Sequence, residues 1–281
     1  MSIPIKTDKK ILIFGGGGVK GISYIGVLKY LEETSIIKQI ETFAGTSIGG
    51  LMIVLHLLGY SSGEIYDFFC SFDLSKLKSD DILDIFSKYG IDNGKRLVYV
   101  LIRLFISKGY NPNITLKEFY QKTNKKLIMV TTCLNTISSC YLSYESHPDL
   151  PVILAVRMTT SIPIIFAPVT YQSKLYVDGG CVDNYPIQIF EDQLPEVIGI
   201  FINEIIQPIA KIENIEQYLM TVINCLKKSA TMSSINGYQK YTIILNIDNV
   251  GIYDLDISQE SKDILIKTGY DTMCDELLKL C

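Results

Sequence analysis

The chain has 281 residues, with 26 Lys plus Arg against 30 Asp plus Glu and a formal net charge of −4. That balance excludes a basic nucleic-acid platform, and 48% hydrophobic with 20% charged residues exclude intrinsic disorder. Seven cysteines, an odd number without a Cys-x-x-Cys pair, point away from a disulfide framework or a zinc site and toward a reducing compartment.

The first apolar stretch, Ile11 to Phe14, reads as a buried strand that stops at four glycines, Gly15 to Gly18. It is too short for a signal-peptide core, and the longest later apolar run, 51–58, is too short to span a bilayer. The expectation is therefore a soluble, intracellular protein with neither a signal peptide nor a transmembrane segment. Val19, Ile22, Ile25 and Leu31 recur at helical spacing and predict a helix over 19–33. A strand near 40–44, a tight turn over 45–50 and a helical run from 51 toward 59 complete a βαβα unit, hence a mostly parallel sheet. From 61 to 124 no buried strand stands out. Amphipathic helices are expected around 63–72, 82–88, 94–107 and 116–122, as a helical insertion. Strands are predicted at 127–132, 140–144, 169–171, 175–177, 197–202 and 242–247, and helices from Pro151, over 215–229 and over 258–280. The expected organisation is one domain over 1–281, with core motifs in 11–202, the insertion near 61–124 and a C-terminal part over 203–281.

Two glycine motifs carry the chemistry. Gly16-Gly17-Gly18-Val19-Lys20-Gly21 fits G-x-G-x-x-G between a strand and a helix. A dinucleotide reading also needs an acidic residue about 20 positions on, where Ala44-Gly45-Thr46 stands instead. That stretch opens Gly45-Thr46-Ser47-Ile48-Gly49, a G-x-S-x-G pattern that pushes a serine out on a strained strand-to-helix turn, although such a turn also serves as an ordinary helix cap. Together the motifs place backbone N–H donors beside the serine oxygen as an oxyanion hole. Gly17 and Gly18 are the expected donors, with Ile48 N–H as a third. Of the two histidines, His56 sits in the following helix, about 13 Å along its axis from Ser47. His147 has no histidine after it, so the order Ser…Asp…His cannot be built. Asp178, in Tyr176-Val177-Asp178-Gly179-Gly180 at the end of a short strand, fills the place of the base.

These three motifs, in this order, resemble the patatin-like phospholipase family. The stretch from Arg157 to Pro168 and Asn184-Tyr185-Pro186 agree with the resemblance, which extends over about 11–202; Gly15 departs from it where many relatives carry a polar residue. The resemblance implies an α/β fold of three αβα layers with a mostly parallel central sheet. It implies a lipid acyl hydrolase of phospholipase A or lysophospholipase type, working through an acyl-enzyme on Ser47 with Asp178 as base. Gly16, Gly21, Gly45, Gly49, Gly179 and Gly180 are the remaining motif positions, and neither metal, calcium nor cofactor is expected.

Asn184 is expected to brace the Asp178 loop, and Arg157 to form a salt bridge. Lys20 is expected to approach a phosphate, to anchor the loop, or to stand exposed in the first helical turn. The implied substrate is a phospholipid or another acyl-ester lipid, with an activator as a possible requirement. Tyr66, Phe68, Phe69, Phe72, Leu74 and Leu77 read either as an apolar lip for lipid or as a core-facing helix. Without a polybasic anchor, only transient contact with a membrane surface is expected. A lipid-binding interaction protein without turnover and a nucleotide-binding module on the 16–21 loop are the competing readings.

Overall fold

The computed structural model describes residues 5–71, 89–204, 211–213, 218, 221, 222, 225, 235–248 and 257–280. The helices expected at 82–88 and 215–229 fall wholly or largely outside them. The strands are β1 (Ile11–Phe14), β2 (Thr42–Thr46), β3 (Gly90–Asp92), β4 (Lys126–Cys133), β5 (Ser138–Leu142), β6 (Ile164–Phe166), β7 (Val169–Tyr171), β8 (Lys174–Asp178), β9 (Val197–Glu204) and β10 (Thr242–Ile247). The α-helices are α1 (Tyr24–Glu33), α2 (Ile48–Leu57), α3 (Ser62–Ser71), α4 (Lys95–Ser107), α5 (Leu116–Thr123), α6 (Val152–Thr159) and α7 (Gln259–Leu280).

The main sheet runs β10-β9-β1-β2-β4-β8-β7, with β5 also paired to β4. The strands from β10 to β4 are parallel, and β5, β8 and β7 join antiparallel. All four residues of β1 are buried because both faces of the parallel part are covered. Leu12, Phe14, Phe43, Met129 and Ile200 pack into the core beneath the helices, whereas Ile11, Ile13, Ala44, Ile128 and Phe201 meet Tyr185, Ile187 and Phe190 on the opposite face. The helix expected over 19–33 begins as a 3-10 turn, Gly18–Ser23, before α1.

The insertion is not purely helical, contrary to the sequence expectation. Gly90–Asp92 pairs in parallel with Ile164–Phe166, matching Gly90 to Ile164 and Asp92 to Phe166. The pairing joins two short segments far apart in the chain, neither of which carries a pattern of its own. The approach is close enough that a Cβ on Gly90 would lie 2.2 Å from the Ala167 nitrogen.

The pairing around β4 sets up the site. β4 carries β5 along one edge, while its other edge is shared in succession by β2 and β8. Thr46 is paired with Val130, and the next residue of β4, Thr131, is paired with Asp178. The C-terminal end of β2 and that of β8 therefore meet on one edge of β4.

Candidate active site

Ser47 lies at that meeting point, between β2 and the first residue of α2, with φ +54° and ψ −126°. A left-handed non-glycine residue in so sharp a turn is strained and holds its side chain clear of strand and helix. The turn closes only because its flanks lack side chains: a Cβ on Gly45 would lie 2.6 Å from the Gly50 nitrogen, and one on Gly49 would lie 2.5 Å from the Phe14 carbonyl oxygen. Ser47 Oγ donates to Asp178 Oδ2 at 2.5 Å. Both residues are buried, with 6% and 2% exposure.

Asp178 is held by the glycine turn on its C-terminal side and by Ser161, just past the end of α6. Its Oδ1 accepts from the Gly180 N–H at 2.7 Å, and its own N–H donates to the Ser161 carbonyl at 2.8 Å. A Cβ on Gly179 would lie 2.4 Å from the Val130 carbonyl oxygen, so this turn too packs directly on β4. The Ser47 N–H donates to Thr159 Oγ1 at 2.8 Å, and that hydroxyl donates to the Val130 carbonyl. Sequence reading missed Thr159 as a positioning residue. The available signal was the polar run Thr159-Thr160-Ser161, which interrupts the apolar pattern of α6 at its C-terminal end.

The glycine loop borders the same serine. A Cβ on Gly16 would lie 3.4 Å from the Ser47 Cβ, and one on Gly21 would lie 2.4 Å from the Ile48 side chain. Gly18 takes φ +52°. The amides of Gly17 and Gly18 donate to none of the described residues, and Ile48 N–H is one of the first-turn donors that a helix leaves unsatisfied. The Gly15 backbone carbonyl accepts from Tyr24 Oη at 2.6 Å.

Asn184 braces this loop and not, as expected, the turn after Asp178. Its carbonyl accepts from the Gly16 N–H at 3.0 Å and its Nδ2 donates to the Gly16 carbonyl at 3.1 Å. Chain adjacency suggested the Asp178 turn, but the segment after that turn runs on to the glycine loop, where its hydrogen bonds seat residue 184 against Gly16. Neighbouring Asp183, also missed, is buried. Its Oδ2 accepts from Tyr141 Oη at 2.8 Å and Gln188 Nε2 at 2.6 Å, and its Oδ1 accepts from the Tyr185 N–H at 3.2 Å. Burial raises the Asp183 pKa above the usual carboxylate value, and those three donors act against the rise.

Lys20 is buried rather than exposed, and its Nζ donates to the Ile247 carbonyl at 3.0 Å, tying the loop to β10. Arg157 is buried and, among the described residues, does not form the expected salt bridge. It donates to Ser161 Oγ at 2.6 Å and to the Ala167 carbonyl at 2.9 Å, and its guanidinium lies 5.0 Å from the Phe166 ring centre. Burial pushes its pKa down to about 10 against the opposing charge of Asp92.

The histidines lie elsewhere. His56 Nδ1 is 3.8 Å from Glu32 Oε1, and its ring packs 5.9 Å from that of Phe43. His147 contacts Ser146 Oγ at 3.0 Å and Cys140 Sγ at 3.8 Å, with its pKa lowered by burial. Of the residues expected as a lip or a core face, Phe69 is buried and Phe68 packs against the core, while Tyr66 Oη donates to Asp263 at 2.9 Å. Phe72, Leu74 and Leu77 lie outside the described residues. Among the described residues, no three His, Cys, Asp or Glu side chains gather as metal ligands, no disulfide forms, and no helix is long and apolar enough to cross a membrane.

Residues 12–191 match the model of the family described as patatin-like phospholipase. A protein of Acanthamoeba polyphaga mimivirus, "Uncharacterized protein R571", is 28% identical over 284 residues, covering 96% of this chain and 94% of its own. The "Probable lipid hydrolase 463L" of Invertebrate iridescent virus 6 is 32% identical over 186 residues, covering 64% of this chain and 62% of its own. Among solved structures, VipD from Legionella pneumophila superposes with a TM-score of 0.66 at 17% identity, over 97% of this chain and 67% of that one. That likeness shows the shared fold.

Proposed function

Because the chain belongs to the patatin-like phospholipase family, a family of lipid hydrolases, we propose that it cleaves carboxylic esters of phospholipids or lysophospholipids with Ser47 as nucleophile and Asp178 as base. The observation that carries this reading is the 2.5 Å hydrogen bond between the two buried groups. Asp178 removes the Ser47 proton as Oγ attacks the ester carbonyl, and the proton passes to the departing alcohol oxygen. The amides of Gly17, Gly18 and Ile48 are the donors assigned to the tetrahedral oxyanion. In acyl transfer, losing one such donor costs about 2.7–4 kcal/mol of transition-state stabilisation. Water, deprotonated by Asp178, then releases the fatty acid and frees Ser47. The dyad needs no histidine, which agrees with the positions of His56 and His147. Neither a metal nor a cofactor enters the scheme, so activity is expected to persist in a calcium chelator.

The test is fatty-acid release from mixed phospholipid vesicles in chelator. Ser47→Ala and Asp178→Asn are each expected to lower kcat/KM by about 10³-fold or more, and together by little more than either alone, because they act as one unit. Activity surviving Ser47→Ala refutes the mechanism. A wild-type chain that binds vesicles but neither turns over nor reacts with a fluorophosphonate at Ser47 is a lipid-binding protein instead.

A further inference from the structure

The net charge of −4 is unevenly placed. Over the 13 residues of α4 there are three cations, Lys95, Arg96 and Arg103, and no acidic residue. Leu97, Leu101 and Phe105 fix the buried face of this helix. The opposite face carries Lys95, Tyr99, Arg103 and Ile106, spaced by four, four and three residues and all exposed, so they form one continuous stripe. Tyr99 is 63% and Ile106 55% exposed, large apolar areas for a surface that also bears cations.

Beside the stripe opens a pocket of about 380 Å³, walled chiefly by Val98, Tyr99, Ile102, Leu154, Pro168 and Val169. Its far wall belongs to α6, which packs against α4. Leu154 and Arg157 of α6 face the pocket, and Thr159 of the same helix holds the Ser47 amide. A cationic and aromatic stripe next to an apolar pocket matches a bilayer surface at two depths, with phosphates above and acyl chains below.

Resting on the lipid-hydrolase reading, we propose that the outer face of α4 and the adjoining pocket dock the protein on an anionic phospholipid bilayer, with Lys95 and Arg103 meeting head-group phosphates and the pocket receiving one acyl chain. Tyr99 sits at head-group level between the cations, and Ile106 sits just beyond Arg103 at the end of the stripe. Docking there brings lipid against the helix that positions the nucleophile. Attraction of this kind is screened by salt.

The experiment is co-sedimentation of the full chain, as Ser47→Ala so that bound lipid is not consumed, with phosphatidylcholine vesicles with or without phosphatidylglycerol. Expected are preferential binding to the phosphatidylglycerol vesicles and weakening as salt rises. Lys95→Gln with Arg103→Gln removes two charges, each worth about 1 kcal/mol at such a surface, which lowers partitioning about 30-fold. Tyr99→Ser with Ile106→Ser is a second, uncharged disruption that weakens binding at any salt concentration. All four side chains are exposed, and thermal melting verifies that the variants fold. Equal binding to both vesicle types, or binding untouched by either double variant, overturns the proposal. If the wild-type chain still hydrolyses micellar lysophospholipid in that case, only the docking surface is wrong; if it does not, the lipid reading falls as well.

Discussion

Thr159 Oγ1 accepts from the Ser47 amide and donates to the Val130 carbonyl, so a single hydroxyl links the Ser47 turn to β4. Thr159→Val keeps the shape but can do neither, and leaves a buried N–H at the elbow without an acceptor. The expected loss is about 1–3 kcal/mol of stability with a fall in kcat, read by denaturant unfolding and by steady-state kinetics. Thr159→Ser is expected to restore both, which a merely packing role for the threonine methyl would not allow. Ser47 and Asp178 were legible in the sequence because each stands at a turn that excludes neighbouring side chains, and glycines advertise that demand locally. Thr159 was not, since its partner lies 112 residues away and the polar run around it marks a buried contact without naming what it contacts. Asn184 was visible as a motif residue, but its target, Gly16, lies 168 residues away and meets it only in the folded chain.

Helix starts were partly readable for the same reason. Thr115 and Glu118 form a capping box at α5, a local pattern. At α3 the local box of Ser61 and Glu64 is joined by an acceptor from another element: Glu32, near the end of α1, accepts from the Ser62 N–H at 3.1 Å and from Ser62 Oγ at 2.6 Å. Burial tends to raise the Glu32 pKa, but the nearby His56 and the Ser62 donors outweigh it and hold it below 4.5. A carboxylate with a lowered folded pKa adds stability that is present above its unfolded pKa and lost as the pH falls through the folded one. Glu32→Gln is therefore expected to cost about 1 kcal/mol at pH 7. The difference from wild type should fade as acid titrates the wild-type carboxylate below 4.5, which unfolding curves across pH would check. β10 over 242–247 and β7 over 169–171 were read to the residue, whereas β4, β5 and β9 were read with ends displaced by one or two residues. The three-residue pair β3 and β6 was not, because its stability comes from pairing across the fold.

At the scale of the whole molecule, the C-terminal helix closes the fold over its N-terminal part. α7 crosses α1 in backbone contact: a Cβ on Gly26 would lie 1.9 Å from the Ile266 carbonyl oxygen, and one on Gly269 would lie 2.0 Å from that of Ser23. Leu265, Met273 and Leu277 are buried there with the residues of α1 and β10. A chain ending at residue 256 uncovers that apolar surface next to the glycine loop. It is expected to lose cooperative unfolding and to bind a hydrophobic dye; a sharp melting transition in the truncated chain would show α7 to be dispensable. The same scale decides electrostatics, since a chain of net charge −4 presents a local stripe of cations along α4. By itself the sequence determined the α/β class, the glycine loop, the elbow at Ser47 and the turn after Asp178, because strand burial and glycine-dependent turns are steric requirements satisfied within a few residues. Only the tertiary structure decided that Ser47 and Asp178, 131 residues apart, share one hydrogen bond, and which residues hold them. The reason is that β2 and β8 succeed one another along a single edge of β4, and such a pairing belongs to the assembled sheet, not to any segment of the chain.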